Sequence, residues 1–596
     1  MRLCRLYSNQ PEKFGPIEFV AGLNVVLAEI RVPANRDRDT HNLGKTTLGR
    51  VVDFCLLKTR NQTFFLFKHA KLFGAFVFFL EIQLCDGTYV TIRRSVTEAN
   101  KISFRRHGST QEYSSLLDDR WDHREVPFEK ARALLDGLLD LRALQPWNYR
   151  KIVGYLLRSQ DDYREVFQLS KFAGPHSQWK PFLAHLLGFD AKLVSDHYEK
   201  EDELSQKEQQ AQLLGRELGE EAFDGSKLEG ILLLKQADAD KKQSLLDAFD
   251  FRNADKAKTG HLVNELDVGI SRLNAERYSL AQNKKKLASA LEDEAILFDP
   301  NRAAELFAEA GVTFGGQIKR DFEQLIAFNR AISEERRAYL TEELADVDTE
   351  LKRTNSELTT LGKRRTATLA FLTETDAFAK FKQLTNELVT LRADIESLRR
   401  QRDLLGRLQA LRVTIRRLVE EKTRLHAKIE EDVSQQNRDG KSKFSSVRLH
   451  FNDIVESVID KKAILTVETN KEGHLEFKAE ILDESGTATS ADLGFTYRKL
   501  LCVAFDLSLS RVHLDVSYPR FVFHDGIFES LDDRKKSKLM NVLRAYAALG
   551  IQEIITMIDS DLPTTKEEKP FLSSPEVILR LHDEDESGRL FRMGSW

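Results

Sequence analysis

Two long segments with a heptad pattern, residues 191–295 and 330–438, place the strongest constraint on how this chain folds. In the second segment the apolar side chains recur every three or four residues, at Phe381, Leu384, Leu388, Leu391, Ile395 and Leu398. This spacing is typical of a left-handed coiled coil. Because the segments are similar in length and flank a compact break at 296–329, they predict an antiparallel hairpin with a small tip. At 1.5 Å per residue each arm would extend roughly 150 Å.

The first arm contains glycines at positions 215, 219, 225 and 230. Glycine weakens a helix, so these positions predict a bend or local unwinding. A loose helical linker is the alternative to a coiled coil, and the heptads on both sides of the break favour the hairpin. An antiparallel hairpin would bring the segments that precede and follow it together.

Segments with an α/β pattern flank the hairpin. Residues 1–190 contain an apolar run at 22–28 and two strand patterns joined by Asp86-Gly87, which predict a β-hairpin. Residues 439–565 contain a second strand pair and two further apolar runs. Residues 566–596 are a C-terminal extension with little pattern. The predicted fold class is an α/β domain that is split by a long antiparallel coiled-coil hairpin.

The overall composition argues against several classes of protein. The 596 residues carry a net charge of −4, which gives no general attraction to nucleic acid or to anionic membranes. Four scattered cysteines without a Cys-x-x-Cys pair predict a reduced, cytoplasmic protein with no zinc site. No apolar run approaches the roughly 18 residues of a membrane span, so no membrane partner is expected.

A short motif, Gly44-Lys45-Thr46-Thr47, follows the apolar run and opens a helical pattern. Strand, loop and Gly-Lys-Thr at a helix start bind nucleotide phosphates through backbone N–H groups and the lysine. The Thr46 hydroxyl would then bind Mg²⁺. The full pattern has glycine at position 39, where this chain has Asp39. Asn42, at another position often held by glycine, tolerates left-handed backbone angles.

A second half of a nucleotide site is predicted near the other end of the chain. Asp525 ends an apolar strand pattern, a position from which a carboxylate holds Mg²⁺ through water. Asp532 lies seven residues after Asp525. In the N-terminal segment, Gln160 lies in a stretch where its side-chain amide would be suited to sensing the metal and the γ-phosphate. The simpler alternatives are a solvated helix-start lysine at Lys45, a turn carboxylate at Asp525 and a surface amide at Gln160.

With these motifs in this order, the chain resembles the SMC/RecN type of ABC ATPase. It resembles more closely the ATPase component of bacterial ABC three-component conflict systems, a family catalogued as a domain of unknown function. The segments that carry this resemblance are residues 22–26, 41–46, 322–330, 493–501 and 524–532. The resemblance implies a P-loop ABC-type ATPase head that is formed by residues 1–190 and 439–565.

The resemblance also implies how the site works. ATP and Mg²⁺ would be bound, with Thr46, Gln160 and Asp525 near the metal, and the heads would pair as a homodimer. The signature-like loop, with Ser490 and Gly494, would contact the nucleotide of the partner head, beside Asp532. Expected partners are a middle component, a nuclease-like effector and the DNA backbone, in antiviral defence.

Two departures from the family pattern concern hydrolysis. Gly526 stands where the general base usually follows the strand acid, and Glu529 is the nearest acidic candidate for that catalytic role. The expected switch histidine is missing, and Met557, Ile558 and Asp559 stand in its place. Because a positioned base contributes roughly 10²–10⁴-fold to a rate, the sequence supports ATP binding better than fast hydrolysis. A non-hydrolysing scaffold and a coiled-coil protein without nucleotide therefore stay open as alternatives.

Basic clusters on the arms allow two interpretations. They lie at residues 284–286, 336–337, 363–365, 399–400 and 416–417. Such clusters are usually solvated faces that are balanced by acids. The alternative is sequence-independent, salt-sensitive contact with DNA phosphates.

Overall fold

The structure is a computed structural model. It describes residues 1–32, 43–169, 174–218, 225–248, 254–292, 316–370, 376–489, 494–563, 571–594 and 596. For 118, 254–259, 292, 316–336, 370 and 376–379 only the backbone is described. Most of the predicted hairpin tip therefore lies outside the described residues. The chain divides into a first unit, residues 1–202 with 420–596, and a second unit, residues 203–419.

The first unit contains the strands. In chain order they are β1 Arg2–Ser8, β2 Ile17–Glu18, β3 Leu23–Glu29, β4 Val77–Gln83, β5 Tyr89–Ser95, β6 Lys101–His107, β7 His123–Pro127, β8 Leu157–Arg158, β9 Ala463–Thr469, β10 Leu475–Ile481, β11 Phe521–Asp525, β12 Gln552–Ile558 and β13 Val577–His582. Two of the predicted strand pairs are confirmed, because β4 pairs with β5 and β9 pairs with β10, both antiparallel.

Both units contain helices. They are α1 Lys45–Cys55, α2 Phe65–Lys68, α3 Ala70–Phe73, α4 Phe128–Leu139, α5 Arg150–Leu156, α6 His176–Leu187, α7 Ala191–Leu218, α8 Gly225–Asp247, α9 Ala254–Glu292, α10 Gly316–Ala370, α11 Asp376–Arg438, α12 Lys443–Ile459, α13 Phe495–Val512 and α14 Asp533–Ala548. None of these described helices combines the length and the apolar character that a membrane crossing requires.

A five-stranded parallel sheet, in the order β13-β3-β12-β11-β8, forms the centre of the first unit. Strand β11 is buried along its whole length, and β3 and β12 are buried except at their last residues. Their near-continuous apolar runs are typical of parallel strands that are covered on both faces. A second, antiparallel sheet has the order β2-β1-β4-β5-β6-β7. Because parallel strands end at the same edge, β3 and β11 bring residues far apart in sequence to one side of the sheet.

Ion pairs between the long helices show that the two arms run antiparallel. Glu201 pairs with Lys422 in the first unit. In the second unit the pairs are Lys235–Asp394, Lys242–Glu387, Asp267–Arg365 and Lys284–Asp348. Along these pairs, the residue number on the second arm falls as the residue number on the first arm rises. This is the register of an antiparallel hairpin, as the heptads predict.

The second unit also folds back on itself. Lys286 Nζ lies 2.6 Å from Glu217 Oε1, although a straight arm would separate residues 69 positions apart by about 100 Å. A cavity of about 700 Å³ is lined jointly by α8, α9 and α11. The expectation of one extended arm of roughly 150 Å is therefore wrong.

The fold-back brings two helices of the first arm together, since Glu217 lies in α7 and Lys286 in α9. Of the four glycines that predict a bend in this arm, Gly215 lies within α7, and Gly225 and Gly230 lie within α8. Gly219 lies outside the described residues.

Candidate functional site

The Gly-Lys-Thr motif lies where strand β3 leads into helix α1. Gly44 is the N-cap of α1 and has φ of +105°, a left-handed angle that glycine adopts without a steric penalty. A Cβ at this position would also lie only 2.5 Å from Leu590 Cβ. The sequence therefore needs glycine here for two reasons, its backbone angle and its close contact. Asn42 lies outside the described residues.

Lys45 is the first residue of α1 and is only 6% exposed. Burial lowers the pKa of its ammonium group, and the nearby charges of Glu529, Asp525, Asp561 and Asp559 oppose that shift. Burial of a lysine is costly unless charged partners stabilise it. These four carboxylates place Lys45 in a strongly acidic surrounding at the carboxyl edge of the parallel sheet.

Asp525, the last residue of β11, is fully buried. Its Oδ2 accepts a hydrogen bond from Thr46 Oγ1 at 2.5 Å, and its Oδ1 accepts one from Thr556 Oγ1 at 2.5 Å. The Thr556 hydroxyl accepts in turn from the backbone N–H of Gly526 at 3.0 Å. The structure therefore brings Thr46 and Asp525 into direct contact across 479 positions of sequence.

Glu529 and Gln160 meet beside Gly526. Gln160 Nε2 donates to Glu529 Oε1 at 2.8 Å. Gly526 has φ of +65°, and a Cβ there would lie 2.7 Å from both of those atoms. Ser530 also has a left-handed angle, with φ of +69°. This turn after β11 directs Glu529 back to the strand end that carries Asp525.

A buried cluster that the sequence did not reveal supports the Gln160 segment. Arg158, at the end of β8, donates to both carboxylate oxygens of Asp506 at 2.7 Å. The same guanidinium donates to the backbone carbonyls of Asp162, Glu165 and Val166. Asp506 Oδ2 also lies 3.2 Å from His524 Nε2, next to Asp525. A buried network in which one guanidinium binds a carboxylate and three backbone carbonyls fixes the geometry of its neighbours.

The remaining predicted site residues occupy different positions. Thr47 lies half-buried in the first turn of α1, and Gly494 is the N-cap of α13. Asp532 is exposed and caps α14, where it accepts from the backbone N–H of Lys535 at 3.0 Å. Ser490 lies outside the described residues. The structure thus brings Lys45, Thr46, Gln160, Asp525 and Glu529 to one edge of the sheet.

The C-terminal extension belongs to the same site region. Its strand β13 pairs in parallel with β3, the strand that precedes the motif. Farther on, Leu590 N donates to the carbonyl of Leu43 at 2.9 Å, and Leu590 contacts Gly44. Phe591 is 1% exposed and packs against Phe14 and Phe73, with ring centroids 5.0 Å apart in each pair. The segment is thus anchored beside the motif.

Removal of that anchor gives a first prediction. The substitution Phe591→Ala leaves a cavity worth about 3–5 kcal/mol in the aromatic cluster. We expect the segment around Leu590 to detach locally, with earlier proteolytic cleavage after residue 582 and weaker nucleotide binding. Trp596→Ala is the control, because Trp596 contacts the same cluster but is 40% exposed. Equal cleavage rates in wild type and Phe591→Ala would contradict the anchoring role.

Four residues of the basic clusters on the arms are paired with acids. Lys284, Lys286, Arg365 and Arg399 form ion pairs with Asp348, Glu217, Asp267 and Glu396, respectively. Arg365 is also buried. These contacts favour the interpretation of solvated, charge-balanced helix faces.

The described residues contain no group of three or more His, Cys, Asp or Glu side chains that converge as a metal site. The Thr46–Asp525 pair nevertheless fits Mg²⁺, because in phosphate-loop proteins one hydroxyl and one carboxylate complete a coordination shell of phosphate oxygens and water.

Comparison with known proteins adds the following similarities. A family described as "Uncharacterised protein conserved in bacteria (DUF2326)" matches residues 454–595, which include Asp525 and Glu529. Among solved structures, the chain is similar to the Smc head domain with a coiled coil and joint from Pyrococcus yayanosii. That match has 12% identity, covers 94% of this chain and 92% of that chain, and has a TM-score of 0.34.

A second similar structure is the Smc head domain with an extended coiled coil, bound to the C-terminal domain of ScpA, from Pyrococcus furiosus. It has 11% identity, covers 94% of this chain and 90% of that chain, and has a TM-score of 0.32. No curated protein matches the chain.

Proposed function

We propose that this chain is an SMC-like ATPase whose first unit binds ATP with Mg²⁺. The observation that carries this proposal is the contact between Thr46 and Asp525 beside the buried ammonium of Lys45. A hydroxyl, a strand-end carboxylate and a lysine at a helix N-terminus form the residue set that holds a magnesium triphosphate. A Gly-Lys-Thr sequence that occurs by chance is not expected to contact a buried carboxylate at the end of a strand.

Each residue has a role in this proposal. The backbone N–H groups at the start of α1 and the Lys45 ammonium bind the phosphates. The Thr46 hydroxyl and the Asp525 carboxylate hold the metal, and the Gln160 amide lies at the edge of the same site. When bound, Mg²⁺ supplies charge neutralisation of the phosphate oxygens. Glu529, directed to this edge by the turn at Gly526, orients the attacking water and accepts its proton.

The wider assignment follows the resemblance of the sequence motifs. Residues 1–190 and 439–565 are proposed as the two lobes of a P-loop ABC-type head, with 191–295 and 330–438 as arms and 296–329 as the tip. Heads pair on ATP as a homodimer, with the loop before Gly494 and with Asp532 facing the partner head. A cytoplasmic defence role with a middle component, a nuclease-like effector and DNA stands on that resemblance alone.

A second candidate is a non-hydrolysing ATP-bound scaffold that holds partner proteins. Two features favour it. Gly526 stands where the family pattern has a base, and Met557, Ile558 and Asp559 stand in place of its switch histidine. Both oxygens of Glu529 are already engaged by other side chains. Comparison of ATP turnover with ATP affinity separates the two candidates.

The dependence of binding on the metal tests the proposed site. Four carboxylates surround Lys45, so a free triphosphate should be repelled unless Mg²⁺ neutralises it. We expect ATP affinity in EDTA to be about 100-fold weaker than with Mg²⁺, the order of magnitude of one unscreened charge contact. Equilibrium dialysis measures both affinities.

The substitution Asp525→Asn provides the matched control for this experiment. It keeps the side-chain shape but removes the charge that holds the metal, so the difference between Mg²⁺ and EDTA should nearly disappear. If wild type binds ATP neither with Mg²⁺ nor in EDTA, the proposed site is refuted. A metal dependence that Asp525→Asn leaves unchanged would place the metal elsewhere.

A further inference from the structure

Lys499 is a buried lysine in the second turn of α13 and is only 2% exposed. Its Nζ donates to the backbone carbonyl of Gly526 at 2.7 Å and lies 3.3 Å from Glu529 Oε2. The ammonium also lies over the rings of Phe495 and Tyr163, at 5.1 and 5.6 Å from their centroids. A buried ammonium is costly unless specific partners compensate for the lost water. Here two of those partners belong to the turn that follows Asp525.

Lys499 and Gln160 together restrain the carboxylate of Glu529. Gln160 holds Glu529 Oε1, and Lys499 holds Glu529 Oε2. The Glu529 side chain stays 32% exposed, so it is oriented but reachable by solvent. Gly526 makes this arrangement possible, because a Cβ at 526 would lie 3.0 Å or less from the carboxylate.

We propose that Lys499 is a positioning residue that fixes the Glu529 carboxylate for its role as general base. This inference rests on the proposed ATPase function. A glutamate that is three residues away from the usual place of the base needs an external restraint, because its side chain has several free torsions. Lys499 supplies that restraint from α13, the helix that begins at the signature-like loop. The position of the base therefore depends on the position of this helix.

The kinetic test compares Lys499→Met, which keeps the length of the side chain, with wild type and with Glu529→Gln. We expect kcat of Lys499→Met to fall about 10- to 100-fold, since small displacements of catalytic groups cost this much. The Kd for ATP with Mg²⁺ should stay within twofold of wild type, because Lys499 contacts the turn and not the phosphate motif. Lys499→Arg should recover part of the rate. Lys180→Met is the matched control, since Lys180 is also buried but packs on Trp179.

A second measurement needs no nucleotide. The thermal unfolding midpoints of Lys499→Met, Glu529→Ala and the double variant form a double-mutant cycle, because alanine removes the carboxylate that Lys499 contacts. If the two side chains restrain each other, the double variant should lose clearly less than the sum of the two single losses. Additive losses would overturn the proposed contact whether or not the protein binds ATP.

The outcomes distinguish the inference from the function on which it rests. Unchanged kcat in Lys499→Met, with a reduced kcat in Glu529→Gln, would overturn the role of Lys499 and leave the ATPase intact. Wild type that binds ATP without turning it over would also overturn that role, while the binding site would stand. A wild-type protein that binds no ATP would refute the proposed function itself.

Discussion

Replacing Lys45 by alanine is expected to weaken ATP binding by at least about 100-fold, to a level that equilibrium dialysis no longer detects. The ammonium of Lys45 is the positive charge of the motif, and it is surrounded by the carboxylates of Glu529, Asp525, Asp561 and Asp559. Without it, the triphosphate meets mainly negative groups, and one lost charge contact at partial burial costs several kcal/mol. Head pairing, followed by light scattering with ATP, should be lost together with binding.

Controls for this experiment concern folding. Unfolding midpoints without nucleotide should show whether Lys45→Ala keeps its fold; we expect that it does, since alanine is the best helix former and removes the cost of burying a charge. Lys180→Ala removes another buried lysine of the first unit and should leave ATP affinity unchanged. Undiminished affinity in Lys45→Ala would show that the nucleotide, if any, binds at another place.

Replacing Glu529 by glutamine is expected to lower kcat roughly 10²- to 10⁴-fold, the usual contribution of a general base. Binding should persist, because Lys45, Thr46 and Asp525 are untouched. Glutamine can keep the contacts with Gln160 and Lys499, so the turn after β11 should hold its shape. Single-turnover measurements with radiolabelled ATP give the rate of the chemical step apart from product release.

Three results of that experiment have different meanings. A large loss of rate identifies Glu529 as the base. Turnover that is equal in wild type and Glu529→Gln assigns the base to another group. Binding without turnover in both proteins favours the scaffold, in which the first unit holds ATP as a structural ligand.

Much of the fold could be predicted because it follows local periodicity. Heptads predict the antiparallel register that Asp267–Arg365 and Lys284–Asp348 show. The apolar run that ends in Asp525 predicts a buried strand with a carboxylate at its end, and the structure contains that strand. Both patterns depend only on which side chains must face a core.

The fold-back of the second unit could not be predicted in this way. The glycines of the first arm predict a bend, but Gly215 lies within α7, and Gly225 and Gly230 lie within α8. Packing of one helix pair on another is decided by long-range contacts such as Lys286–Glu217, which leave no local signal.

Several residues that support the site were also not identified from the sequence. Strand β13 was missed although Val577, Ile578, Leu579 and Leu581 form an apolar run of the kind that identified β3 and β11. Lys499 and Arg158 are charged residues, for which an exposed position is the usual expectation. Their burial depends on partners 27 and 348 positions away, respectively.

The contact of Leu590 with Gly44 has a consequence for biosynthesis. A ribosome must synthesise the chain through residue 590 before the side chain that contacts Gly44 exists. Until then the nascent polypeptide holds a Gly-Lys-Thr sequence without its neighbouring strand β13, and contacts between residues so far apart in sequence form slowly. The proposed nucleotide site should therefore become competent only after residue 590 has left the ribosome.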